Sequence, residues 1–220
     1  MTKALKPCVL ITGFAPFDGE KVNPSWQAVQ ALEGLNIEGL SIITKELPCE
    51  FDTSIHVLQD AMNKYSPQIV LCVGQAGGRA DISVERVAIN INDARIADNA
   101  NNQPIDTPVV PRGPVAYFTT LPIKRILLAL HQSDIPASIS NTAGTFVCNH
   151  IMYGLMHDIA LNHQNVKGGF VHIPYLPSQA MHHSGAPSMS QETVESALKV
   201  IITAAIINKP DLKVAAGTTH

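Results

Sequence analysis

Short uninterrupted apolar runs that stop at a glycine or a proline, separated by segments with helical spacing, constrain this chain more than any other feature. Val9-Leu10-Ile11-Thr12-Gly13 and Ile69-Val70-Leu71-Cys72-Val73-Gly74 show no polar alternation, the pattern of strands covered on both faces of a sheet. Gly168-Gly169-Phe170-Val171-His172-Ile173, halted by Pro174, reads the same way, as do 40–47 and the short 136–140. Between them, Ile55, Leu58, Met62 and Tyr65 recur at spacings of three, four and three, the stripe of a helix over 51–65 that Ser66-Pro67 ends. Stretches 26–32, 121–132, 149–161 and 191–208 carry comparable helical signals. Strand and helix therefore alternate, which predicts a single-domain α/β/α sandwich around a central, largely parallel twisted sheet.

Two stretches fit that scheme less simply. Residues 82–91 alternate as one strand, with Ile82, Val84, Arg86, Ala88 and Asn90 on one face, but no partner suggests itself. Residues 92–114 are polar, rich in Asn, Asp and Pro, and too long for a plain connection. The domain is expected over 1–210, with 211–220 as a flexible tail.

Composition removes several classes of function. With 45% apolar and 15% charged residues in 220, the chain can bury a substantial core. Fifteen Lys and Arg against eighteen Asp and Glu give a net charge of −3 with no basic stripe, so nucleic acid is not an expected partner. No apolar run approaches the roughly 18 residues of a membrane span, and the N-terminal residues lack the h-region of a signal peptide. Four cysteines, Cys8, Cys49, Cys72 and Cys148, show neither CxxC pairing nor the density of a disulfide scaffold. A reducing, cytoplasmic setting is the expectation.

In an open α/β sheet, ligands bind beyond the carboxyl ends of strands, so the loops there hold the candidate chemistry. Gly74-Gln75-Ala76-Gly77-Gly78 follows a strand but has neither GxGxxG nor a P-loop lysine, and glycines permitting a tight turn are its simpler reading. The nine histidines show no ligand spacing, so no metal is expected. Cys148 stands apart, because a loop of small and polar residues leads through it into the helix expected from Asn149. The positive end of that helix would favour a thiolate, and its first amides could hold an oxyanion. Cys8 and Cys72 lie in apolar strands, where cysteine is an inert small hydrophobe. Cys49 has no evident base. A thiolate nucleophile requires a base and a group to orient it. His172, at the end of the strand after the Cys148 helix, is either that base or a satisfied core histidine. Glu85, a lone acid in an apolar strand, is either the orienting group or the partner of Arg79 or Arg86 in a structural ion pair.

Thr12-Gly13-Phe14-Ala15-Pro16-Phe17, Asn23-Pro24-Ser25-Trp26, the block running from Gly74 to Arg79 through Glu85 to Asn90 and on to Asp93-Ala94-Arg95-Ile96-Ala97-Asp98-Asn99, then Gly144-Thr145-Phe146-Val147-Cys148-Asn149 and His172-Ile173-Pro174-Tyr175-Leu176-Pro177 together resemble the pyroglutamyl peptidase I family. These motifs span nearly the whole chain in family order. The resemblance implies a cytoplasmic cysteine exopeptidase, a homotetramer without cofactor or metal, that hydrolyses the bond after an N-terminal pyroglutamyl residue of peptides through an acyl-enzyme. It implies Cys148 as nucleophile, His172 as general base and acid, Glu85 as the group orienting His172, and Arg95 beside the oxyanion. It places the ring pocket at Phe14, Phe17, Gln75, Ile96, Phe146 and Val147. Two positions depart from the family pattern: Phe146 stands where many relatives carry Tyr, and Cys49 where Thr is frequent. The pyroglutamyl ring is a neutral lactam, so aromatic walls and amide partners suit it better than an acidic clamp. Phe14 and Phe17 are the expected sandwich, and a site satisfying the lactam groups should reject proline. A non-catalytic binder of cyclic amides or nucleoside-like ligands on the same fold is the alternative, and a nucleotide-dependent enzyme is a more distant one.

Overall fold

The computed structural model describes residues 6–217; residues 1–5, with the N-terminal reading that concerned them, and 218–220 lie outside it. The elements run β1 (Cys8–Phe14), α1 (Pro24–Gln30), β2 (Asn36–Ile37), β3 (Leu40–Leu47), α2 (Thr53–Tyr65), β4 (Ile69–Gln75), β5 (Ile82–Glu85), β6 (Val87–Ile89), β7 (Ala116–Phe118), α3 (Ile123–Gln132), β8 (Ala137–Ser140), α4 (Val147–Asn162), β9 (Lys167–Ile173), α5 (Pro177–Ala180) and α6 (Gln191–Ile206). Seven strands form the main sheet in the order β2-β3-β1-β4-β9-β5-β8. The centre, β3-β1-β4-β9, is parallel, and β4 is buried along almost its whole length because each face meets a helical layer. Ile69, Leu71 and Val73 face the core shared with α1, α3 and α6, whereas Val70 and Cys72 face the one shared with α2 and α4. Each fully buried aliphatic side chain of this kind contributes roughly 1.5–3 kcal/mol.

The sheet is not parallel throughout, and this matters for the site. β5 runs antiparallel to β9, with Ser83 opposite His172, and β8 then lies parallel to β5. The stretch expected as one strand over 82–91 breaks at Arg86. β5 stays in the main sheet, while β6 leaves it and pairs with β7 in a separate two-stranded ribbon. Asn149 of α4 holds that excursion in place: its side chain accepts from the Ile89 amide and donates to the Ile89 and Ile91 carbonyls. The Tyr153 hydroxyl likewise donates to the Pro114 carbonyl. The polar 92–114 stretch and the ribbon therefore cover the side of α4 that a solvent-facing helix would expose. That is why α4 is buried nearly all round, beyond the expected Ile151, Leu155 and Ile159 stripe.

The C-terminal residues also differ from a loose tail over the part described. Asp211 accepts at both carboxylate oxygens from the backbone amides of Lys124 and Arg125. Those are first-turn donors of α3, whose own N-cap, Pro122, offers no side-chain acceptor. Such a cap is worth about 1 kcal/mol. Lys124 Nζ then donates to the carbonyls of Val214 and Ala216.

Candidate active site

Helix α4 starts two residues before the position expected, so Cys148 lies inside its first turn. Phe146, the N-cap, has no side-chain acceptor for the first amides, which leaves them without intrahelical or capping partners. The thiol rests against the sheet at Gly74: a Cβ built there would stand 3.0 Å from Cys148 Sγ and 2.7 Å from Phe170 Cζ. Only glycine leaves the sulfur this room. In the β4–β9 register Gly74 pairs with His172. Paired residues of neighbouring strands point to the same face, so the imidazole rises beside the position over which the sulfur sits. Phe170 packs on its ring at 4.8 Å between centroids.

Glu85 reaches His172 because β5 is antiparallel to β9. His172 Nδ1 donates to Glu85 Oε1 at 2.7 Å, since a carboxylate at this position only accepts. That bond puts the ring proton on Nδ1 and leaves Nε2 an acceptor. Arg79 donates to the same Oε1 at 2.6 Å, so Glu85 contacts His172 and Arg79 together. The second guanidinium nitrogen of Arg79 donates to the Thr142 carbonyl, which ties the acid to the loop before Cys148.

Burial dominates the electrostatics. It raises Glu85, but the hydrogen bond and charge of His172 and the cation of Arg79 outweigh it and hold the carboxyl below its ordinary range. His172 is pulled below its ordinary value by burial, with Glu85 opposing. Burial pushes the Cys148 thiol up, and the Glu85 carboxylate adds to this. Burial thus acts on the thiol against the helix end, and it favours the neutral form of both Cys148 and His172.

A cavity of about 350 Å³ opens beside these groups, with Phe17, Gln75, Arg95, Ile96 and Phe146 on its walls. Gln75 directly follows Gly74, and Phe146 stands two residues before Cys148, so Cys148, His172 and Glu85 adjoin this cavity without lining it. Phe14 and Val147, the other expected wall residues, are buried and do not line this cavity. Phe14 tilts against Phe170 at 6.4 Å, and Val147 points into the core. The ring partner of Phe17 is Phe146, at 6.2 Å. Asp18, Glu20, Asp93, Tyr175 and His183 also line the cavity and were not singled out from sequence. Tyr175 and His183 stack at 4.6 Å, and Glu20 bonds His183 Nε2 at 3.0 Å. Among the described residues, no group of three or more His, Cys, Asp and Glu is placed to hold a metal ion, and no helix is long and apolar enough to cross a membrane.

The walls have a backing that sequence did not signal. Phe51 meets Phe146 edge-on at 5.4 Å and His150 edge-on at 5.2 Å. Asp98 accepts from the Phe51, Ala100 and Asn102 amides, and burial notwithstanding, these bonds keep its carboxyl low.

Comparison with known proteins agrees with this geometry. A family model described as pyroglutamyl peptidase matches residues 7–208. Pyrrolidone-carboxylate peptidase 1 of Photorhabdus laumondii is 55% identical over 217 residues, covering 96% of this chain and 99% of that protein. The pyrrolidone-carboxylate peptidase of Escherichia fergusonii is 56% identical over 212 residues, with the same coverage. The crystal structure of pyroglutamyl peptidase I from Bacillus amyloliquefaciens superposes with a TM-score of 0.93 at 48% identity, over 96% of this chain and 100% of that one. Fold and likeness agree, and the chain belongs to the pyroglutamyl peptidase family of cysteine peptidases.

Proposed function

We propose that this enzyme removes N-terminal pyroglutamyl residues from peptides by nucleophilic catalysis at Cys148. The observation that carries the reading is the Cys148 sulfur over Gly74, on the sheet position paired with His172, whose Nδ1 is held by a buried carboxylate. The neutral lactam lies against the Phe17 and Phe146 rings. Its amide groups bond near Gln75, and Ile96 closes the wall. His172 Nε2 takes the thiol proton as Sγ attacks the carbonyl after the ring, so the thiolate forms only as it reacts. The oxyanion is met by the Cys148 amide at the helix N-terminus and by Arg95. Glu85 stabilises the imidazolium, which returns its proton to the leaving amine as the carbon–nitrogen bond breaks. Water, deprotonated by His172, then attacks the thioester and releases pyroglutamate and the thiol.

The family resemblance extends the proposal to a cytoplasmic homotetramer, with one peptidase domain over 1–210. Hydrolysis of a pyroglutamyl amide reporter, set against prolyl and glutaminyl analogues, tests the activity. Turnover of the pyroglutamyl compound alone is expected, and equal turnover of the prolyl one would overturn the lactam-reading cavity.

A further inference from the structure

His150 sits one turn into α4, two residues beyond the nucleophile, and is completely buried. Both of its ring nitrogens are used. The Asp52 amide donates to Nε2 at 2.9 Å, so the ring proton is on Nδ1, which donates to Asn92 Oδ1 at 2.9 Å. The two partners belong to different segments.

Asp52 lies in a strained γ-turn, at φ 57 and ψ −55, closed by the Thr53 amide donating to the Phe51 carbonyl. Nothing intrinsic to aspartate holds that turn, but its flanks are held: His150 accepts the Asp52 amide and Asp98 accepts the Phe51 amide. The Phe51 ring is thereby set edge-on against Phe146. Asn92, the other partner, opens the loop that carries Asp93, Arg95 and Ile96 to the cavity, and Asp93 is locked to Thr145 through both of that residue's backbone and side-chain oxygens.

We propose that His150 is a positioning residue for lactam recognition, fixing from the nucleophile's own helix both the Phe51 backing of Phe146 and the start of the Arg95–Ile96 wall. This rests on the pyroglutamyl reading of the cavity. A neutral imidazole offers one acceptor and one donor in opposite directions, as the two segments require. Glutamine can accept the Asp52 amide in its place, and leucine cannot.

The test compares His150→Leu, His150→Gln and, as a packing control further along α4, Leu155→Ala. For each, kcat and KM are measured on the pyroglutamyl reporter, and Ki for 2-pyrrolidone as the bare ring, at a temperature where far-UV circular dichroism shows the variant folded. His150→Leu should raise KM and Ki about ten-fold, the worth of one buried hydrogen bond, with kcat much less affected. His150→Gln should recover most of that loss, and Leu155→Ala should lower Tm without moving KM or Ki. Unchanged KM and Ki in the leucine variant, or an equal rise in Leu155→Ala, would overturn the proposal. If His150→Leu does not fold, Asn92→Ala, which releases Nδ1, must raise KM and Ki, and a flat result there overturns it equally. A wild-type enzyme inactive on the reporter would instead refute the functional reading itself.

Discussion

Glu85→Gln removes a charge while keeping a shape. The carboxylate is completely buried, and its Oε1 accepts from both His172 and Arg79. Oε2 makes no hydrogen bond among the described residues, and the Ser140 hydroxyl donates to the Thr142 carbonyl. A glutamine with its oxygen at the Oε1 position can keep both donors satisfied and turn its NH₂ toward Ser140. What disappears is the charge opposite the imidazolium that forms when Cys148 gives up its proton. Two unit charges about 4 Å apart at an effective dielectric of about 20 attract by about 4 kcal/mol. At 1.36 kcal/mol per decade this is a loss of about 10³ in kcat/KM. Arg79, left without a counter-charge, opposes the imidazolium further. The loss should fall on kcat, since Glu85 does not line the cavity, and steady-state hydrolysis of the pyroglutamyl reporter would read it. A variant within about ten-fold of wild type would show that orientation alone, not charge, is what Glu85 supplies, and would refute the reasoning.

Gly74→Ala should lower kcat by about 10²-fold with little change in KM, because the new methyl must displace Cys148 Sγ or Phe170; steady-state kinetics within two-fold of wild type would contradict the placement of the thiol. Iodoacetamide with peptide mapping should label Cys148 first, since it is half-buried while Cys8, Cys49 and Cys72 are 1%, 4% and 0% exposed. Labelling should still be climbing as pH rises past 9, because burial raises the thiol, and a rate already level at neutral pH would point to a resting thiolate. Acid should destabilise the fold. Burial lowers His150 from 6.5 to about 4 against the facing carboxylates of Asp52 and Asp98, so the unfolded chain binds more protons in that window. The stability it contributes is complete above about 6.5 and is lost as pH falls toward 4, about 3 kcal/mol in all, with buried His172 acting in the same direction. Urea unfolding at a series of pH values checks this, and a flat profile between 6.5 and 4 would contradict it.

Much of the architecture was legible because β1, β4 and β9 are buried on both faces, and that state writes itself as unbroken apolar runs ended by glycine or proline. Cys148 and His172 were legible for a related reason, since each stands where a strand or helix terminates. Glu85 was visible as an acid too costly to bury alone, although nothing local told its two partners apart, and it has both. The failures come from information that is not local. A two-residue period continues through Arg86, so 82–91 read as one strand even though the chain changes sheets there. The direction of β5 depends on where the chain returns, and the antiparallel step is what brings Glu85 to His172. Phe14 and Phe17 are close in sequence, but strand geometry sends Phe14 inward and gives Phe17 the distant Phe146. The helix terminus at Cys148 is readable from the sequence, whereas the burial that raises its thiol is not.

The account turns on one covalent bond. Wild-type enzyme mixed with a pyroglutamyl ester, quenched in acid within the first turnover and digested, should show the peptide containing Cys148 heavier by one pyroglutamyl group, with the addition absent in Cys148→Ala. A quenched enzyme that turns substrate over yet carries no adduct on Cys148, or a Cys148→Ala variant hydrolysing the ester at the wild-type rate, would contradict the central claim.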